Sequence, residues 1–243
     1  MQRDLVGLLI LFGYYAVVFV LIPTPLKYYT RIPAELIRKG QHIGYSMSVF
    51  LLLHLFSSWY AAVAASAALV VIAYPLLILF EKTGWYAYAF ADRAHGGGEY
   101  RRSLLTVQAT FAVLIAVLWG ALGSRWAPVV GAAAAGWGFG DAAAALVGKA
   151  WGRRRGLLRW MDRTKTYEGS AAMVAVAGVA FFLTLLFYVG LPWYQSLVIA
   201  VIAAPLCSLA ELVTRRGFDT VTVPLTAVLT IVPLMRLFAR VGW

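Results

Sequence analysis

The chain has 243 residues, of which 62% are hydrophobic and only 13% charged, and its mean hydropathy is +0.79. Soluble domains carry about 25% charged residues, so the composition excludes a soluble globular protein. A net charge of +11 would raise nucleic acid as a partner, but the placement of the cations argues for a membrane topology instead.

Apolar runs of about 17–25 residues read as membrane spans. Eight occur, near residues 5–22, 43–58, 60–80, 104–122, 127–148, 171–190, 193–210 and 221–239. The expected fold is an all-α integral membrane protein, a single polytopic domain over residues 1–243 with about eight transmembrane helices. The first run follows Arg3 and Asp4 and ends in Ile22-Pro23-Thr24-Pro25, without a small-residue cleavage site, so it reads as a retained helix. His54 and two serines dilute the second run, and Pro224 and Pro233 interrupt the last. His54 reads as a packed helical residue, and the lone cysteine, Cys207, as a small packing residue inside an apolar run.

Seventeen of the 21 Lys and Arg residues fall in the alternate connections 23–42, 81–103, 149–170 and 211–220; the others are Arg3, Arg125, Arg236 and Arg240. The positive-inside rule puts the cation-rich connections in the cytoplasm and both termini outside. With no transit peptide before the first span, the expected location is a prokaryotic plasma membrane. The outward connections, near 58–59, 123–127 and 190–193, are short, so the chemistry is expected on the cytoplasmic face. The polar stretch with Asp92, His95, Gly96, Gly97, Gly98 and Glu99 is assigned no chemistry of its own.

Residues 137–170, WGFGDAAAALVGKAWGRRRGLLRWMDRTKTYEGS, carry the strongest signal. Asp141 is an acid in an apolar helix, and an ionisable residue there marks a functional site by default. It lies seven residues before Gly148, about 10 Å along a helix, near the depth at which a membrane-dissolved alcohol presents its hydroxyl. The bland alternative is an acid buried against a lysine or arginine of a neighbouring helix. Gly136, Gly140, Ala144, Gly148 and Gly152 recur every four residues, which suits close helix packing and equally a close approach of phosphates. The glycines at 136, 138 and 140 are compatible with a loosened helix just before Asp141.

Seven cations follow in 17 residues: Lys149, Arg153, Arg154, Arg155, Arg159, Arg163 and Lys165. Such groups neutralise phosphate oxygens or meet anionic headgroups. Lys165, Thr166, Gly169 and Ser170 lead into a helix whose N-terminal amides form an anion site. Glu168, in the same turn, is placed to share a magnesium or other divalent ion bridging the phosphates, with Asp141 either a second ligand of that ion or the base at the acceptor hydroxyl.

Gly140-Asp141 with Val147-Gly148 and Gly152, followed by Lys165-Thr166-Tyr167-Glu168-Gly169-Ser170, resembles the CTP-dependent polyprenol kinase family, which includes dolichol and phytol kinases and is related to phosphatidate cytidylyltransferases. Arg38-Lys39-Gly40-Gln41-His42 resembles the family's N-terminal Arg-Lys-x-x-His element. Glu211, Gly217 and Asp219 before Pro224 resemble its C-terminal element, with Thr220 where an Asn often stands. The resemblance spans residues 38–224. It implies a catalytic role for Asp141 and nucleotide contacts by Lys165, Thr166, Glu168, Gly169 and Ser170. Lys149, Arg153, Lys39, His42, Glu211 and Asp219 join the expected nucleotide site. Lys39 and His42 equally suit snorkelling at a membrane entry, and Glu211 a local pair with Arg215 or Arg216. The implied partners are CTP, a divalent cation, a membrane lipid alcohol and the bilayer, with no nucleic acid. The expected activity is transfer of the CTP γ-phosphate to an isoprenoid alcohol; the rival is a cytidylyltransferase acting on a lipid phosphate. A transporter would place its polar groups near the midplane, whereas here they collect towards one face.

Overall fold

The computed structural model describes residues 2–84, 86, 90, 98–153, 165–214 and 217–242. These residues form eight long helices, with no strand among them: α1 (Gln2–Tyr29), α2 (Ala34–Leu55), α3 (Trp59–Glu81), α4 (Glu99–Ala121), α5 (Ala127–Trp151), α6 (Tyr167–Val189), α7 (Trp193–Val213) and α8 (Asp219–Val241). All but α2 are long and apolar enough to cross a membrane, which makes seven spans where about eight are expected. The all-helical, multi-pass architecture is as the composition requires.

The helices are longer than the apolar runs, and the connections correspondingly shorter. α2 starts at Ala34 rather than near residue 43. Its first turns hold Glu35, Arg38, Lys39 and Gln41, which lower hydropathy but are good helix formers. Glu35 and Arg38 form an ion pair one turn apart, and Arg38 also lies 3.6 Å from Glu99. α1 runs past its expected end because its turn at Val17–Leu21 widens to a π-helix, closed by the Ile22 N–H on Val17 O at 2.9 Å. Pro23 and Pro25, which lack the N–H of an ordinary ladder, follow directly.

The described residues group into two compact units, 1–125 and 126–243. In the first, α1 packs on α2, α2 on α3 and α3 on α4. A polar chain joins all four helices. The Tyr15 hydroxyl meets Ser48 Oγ at 3.0 Å, the Gln108 amide donates to Tyr15, and the Ser66 hydroxyl donates to Gln108 Oε1 at 2.6 Å. Lipid supplies no hydrophobic drive between helices, so such bonds, worth about 0.6 kcal/mol each, set which faces meet. At the α1 N-terminus, Asp4 accepts from the Ser57 N–H at 2.8 Å, and Arg3 donates to the carbonyls of His54 and Leu55. His54 itself is exposed in the last turn of α2, its Nδ1 2.9 Å from Phe50 O, so it is not the packed residue expected.

In the second unit α5 and α7 each pack against both α6 and α8, closing a ring of four helices. α5 is the most buried, with Val129, Val130 and Trp137 wholly enclosed, whereas Phe187 of α6, Val201 of α7 and Leu229 of α8 stand exposed. Exposed apolar rows of this extent require an apolar surrounding. The glycine ladder is a packing face. A Cβ at Gly136 would lie 2.2 Å from the Phe181 ring, one at Gly140 3.0 Å from Ala177, and one at Gly148 2.8 Å from Thr166 Oγ1. α5 also runs unbroken through residues 136–140 rather than loosening there. Gly136→Ala must displace the fully buried Phe181, at an expected cost of about 1–3 kcal/mol. A lower melting temperature in detergent, partly recovered by adding Phe181→Leu, is the expected result; an unchanged melting temperature would remove the packing role.

Candidate active site

The order of the second unit brings the C-terminal ends of α5 and α7 to the same end as the N-terminal ends of α6 and α8. There Asp141, Glu211 and Asp219 each present one carboxylate oxygen, and the three oxygens lie within 4.8 Å of one another. Asp141 is 5% exposed and Glu211 2%, while Asp219 is half-buried. Asp141 sits ten residues before the end of α5, about 15 Å by helical rise.

The Lys165 ammonium enters this group. It pairs directly with Glu211 Oε1 and lies 3.5 Å from Asp219 Oδ2. Burial pushes the Lys165 ammonium towards its neutral form, but the charges of Glu211, Asp219 and Asp141 outweigh that and hold its pKa above the ordinary 10.5. The pairing is therefore complete at any pH below the ordinary lysine value, and weakens only as pH climbs through the higher folded-state value. Through the physiological range Lys165 is a fixed positive charge.

The turn after Lys165 explains how it is aimed. Thr166 is extended (φ −124°, ψ 150°) and caps α6, its hydroxyl oxygen accepting from the Gly169 N–H at 3.1 Å. The Ser170 hydroxyl donates back to Thr166 O at 3.1 Å, and the Ser208 hydroxyl of α7 donates to Ser170 O at 3.1 Å. Gly169 is required because a Cβ there would stand 2.6 Å from Ala144 O of α5. The Thr-Tyr-Glu-Gly-Ser turn thus both caps α6 and seats it on α5 one turn past Asp141. Glu168 is half-buried in the first turn of α6, where a negative charge suits the helix dipole. Asp219 opens α8 after the left-handed Gly217 (φ +79°), and its Oδ1 accepts from the Thr220 N–H at 3.0 Å. Thr220 is buried in that turn.

Of the residues expected from the sequence, the structure gathers Asp141, Lys165, Glu211 and Asp219. Glu168 is not one of the three grouped acids; Glu211 and Asp219 stand with Asp141 instead. Glu211 takes Lys165 as its ion-pair partner. Lys149, in the last turn of α5, and Arg153, beyond its end, are exposed. Arg154, Arg155, Arg159, Arg163, Arg215, Arg216, Asp92 and His95 lie outside the described residues. Lys39 and His42 belong to α2 of the first unit, where Lys39 is 4% exposed and so does not snorkel to a surface. Cys207 is buried, its Sγ 3.7 Å from Val223 O, a packing residue as expected. Sequence reasoning put Asp141, Glu211 and Asp219 in one expected site but did not foresee their carboxylates side by side. Its available signal was the charge asymmetry, which puts connections 149–170 and 211–220 on one side.

Fold and site together define a class: a polytopic helical membrane protein with a buried acid–lysine cluster at one end of a four-helix ring. The chain is 28% identical over 208 residues to phytol kinase of Synechocystis sp., a similarity covering 81% of this chain and 78% of that one. This bears out the resemblance to the polyprenol kinase family that the motifs carry. No family model matches the chain, and no solved structure does.

Two substitutions separate the roles in this turn. Glu211→Ala removes the buried partner of Lys165, leaves the lysine to Asp219 and opens a cavity at the end of α7, at an expected cost of about 2 kcal/mol, whereas Thr166→Ala loses a helix cap at about 1 kcal/mol. Urea or thermal unfolding in detergent reads both. A Glu211 variant as stable as the parent would show that the pair does not hold the helix ends.

Proposed function

We propose that the protein is a kinase that transfers the γ-phosphate of CTP to a membrane isoprenoid alcohol of the polyprenol, dolichol, phytol or geranylgeraniol type. The observation that carries this reading is the Lys165 ammonium paired with Glu211 and Asp219, with the Asp141 carboxylate grouped beside these two, at one end of an apolar helix ring. The similarity to a phytol kinase supports the alcohol as acceptor, and the family resemblance supports CTP as donor. The site is assigned to the cytoplasmic face of a prokaryotic plasma membrane, following the cation-rich connections.

Phosphoryl transfer asks the protein mainly for positioning and charge neutralisation. Lys165 and the capped turn 166–170 are assigned to the triphosphate oxygens, with exposed Lys149 and Arg153 adding positive charge at the rim. Glu168 is assigned to the nucleotide side, as the family resemblance implies. Three carboxylates form the hard oxygen set that magnesium or manganese takes, so Asp141, Glu211 and Asp219 are the assigned ligands. Their grouping outweighs the expectation that Asp141 would share a metal with Glu168. When bound, the ion supplies charge neutralisation on the phosphates. Asp141 stands deepest along its helix and is assigned to the acceptor hydroxyl. The alcohol oxygen bonds to the γ-phosphorus as the bond to the β–γ bridging oxygen breaks; CDP departs and the hydroxyl proton passes to Asp141.

Purified protein given CTP labelled in the γ or the α position, with geranylgeraniol, phytol, dolichol and diacylglycerol as acceptors, tests the reading. Label is expected in lipid from the γ position only. Label arriving solely from the α position would establish the cytidylyltransferase instead, and a parallel series with ATP tests the base. Asp141→Asn and Lys165→Ala are each expected to lower the rate by roughly 10²–10³-fold with expression intact; a fully active variant removes that residue from the site.

A further inference from the structure

We infer that Lys165 is a tethered stand-in for the divalent cation: without nucleotide its ammonium occupies the space among Asp141, Glu211 and Asp219, and a metal ion enters as the triphosphate draws the lysine out. The inference rests on the proposed nucleotide site and adds an order of events to it.

Three features of the cluster support an exchange. First, the lysine engages the acids assigned to the metal, pairing with Glu211 and Asp219 and attracted by Asp141. Second, the width of the group suits a single cation. The three oxygens lie within 4.8 Å of one another, a span that a single ammonium or a single divalent ion fills. The site has room for one of the two cations and not for both, and the acids need not move for the exchange. Third, the lysine can leave without moving a helix. Lys165 precedes the first residue of α6 and its neighbour Thr166 is anchored by the cap, so the four-carbon stem turns about a fixed base.

An ammonium and a divalent ion repel strongly at such distances, so the two exclude each other unless a further negative charge arrives. A triphosphate supplies it, with oxygens for the displaced ammonium and for the metal. Nucleotide and metal must then strengthen each other's binding, and by the same factor in both directions. Without nucleotide the protein's own cation offsets part of the charge of these acids.

The probe is Mn2+, with free ion followed by its electron paramagnetic resonance signal and the full chain held in detergent. The parent protein is expected to bind Mn2+ weakly alone. A CTP analogue with a non-hydrolysable β–γ bridge should tighten that binding, beyond what the analogue holds in solution, by about 5- to 150-fold. Lys165→Met should bind Mn2+ alone tighter than the parent by a comparable factor and respond less to the analogue. Adding Glu211→Gln to that variant should remove the gain. Equal Mn2+ affinity in Lys165→Met and the parent overturns the exchange. So does a parent whose affinity is the same with and without the analogue, a comparison that stands even where the variant does not fold. A parent that moves no γ-phosphate yet shows the lysine-dependent gain overturns the kinase and upholds the exchange; an active kinase without the gain does the reverse.

Discussion

One constraint organises the second unit: a lysine ammonium and three carboxyl groups must be accommodated inside an apolar helix ring. Each buried charge is costly unless its partners are in place, and here they come from four places in the chain. Asp141 lies inside α5, Lys165 just before α6, Glu211 near the end of α7 and Asp219 at the start of α8. The helix ends must therefore meet at one level. The small residues of α5 make this possible, because Gly148 and Gly152 admit Thr166, and Ala144 admits Gly169. A side chain at any of these glycines would push the α6 N-terminus away from α5, and Lys165 with it. The ladder that looked ambiguous in the sequence is what lets the lysine reach the acids.

The first unit meets a similar problem with neutral groups. Ser48, Tyr15, Gln108 and Ser66 hand hydrogen bonds from helix to helix. The Tyr100 hydroxyl then donates to Gln41, whose amide donates to Phe19 O at 3.3 Å. Neutral amides and hydroxyls lose less on burial than ions do, and they fix which faces meet without creating a charge that a ligand must answer. Charged pairs do occur there, as between Arg101 and Glu81 at 2.9 Å and between Arg38 and both Glu35 and Glu99, and they lie at the helix ends.

The number and order of the helices were legible because span length is a one-dimensional property that apolar runs report directly. Where α2 begins was not, since Arg38, Lys39 and Gln41 read as a loop until their burial and pairing are seen. Within the site, Asp141 and Lys165 each stood out alone, one as an acid in an apolar run and the other at a helix start. Their partners did not. Lys165 and Glu211 are 46 residues apart, and no local pattern distinguishes Glu211 from an acid paired with the adjacent Arg215 or Arg216. Glu168 drew the metal assignment because it is near Lys165 in sequence. The structure groups Glu211 and Asp219 with Asp141, and residues so far apart in the chain show no such grouping in sequence. Thr166, Gly169 and Ser170 read as ligand contacts, and the structure gives them a prior task in holding α6 against α5.

The choice of lysine at position 165 follows from what the site is proposed to do. An arginine could also answer Glu211 and Asp219, and its planar fork would bind a carboxylate at two points. That strength is a disadvantage where the cation has to leave. A guanidinium locked on Glu211 would have to break two parallel bonds before a metal could enter, and its bulk would hold the acids further apart. An ammonium on a flexible stem makes the same charge compensation through single contacts and gives it up by rotation alone. Three phosphate groups then offer it oxygens that are better exposed than those it leaves. The rigid part of the device is the cap at Thr166, the movable part is one side chain, and the acids stay where α5, α7 and α8 put them. A site built this way needs no lid or helix movement to pass from a resting cluster partly offset by its lysine to one that holds a metal and a nucleotide.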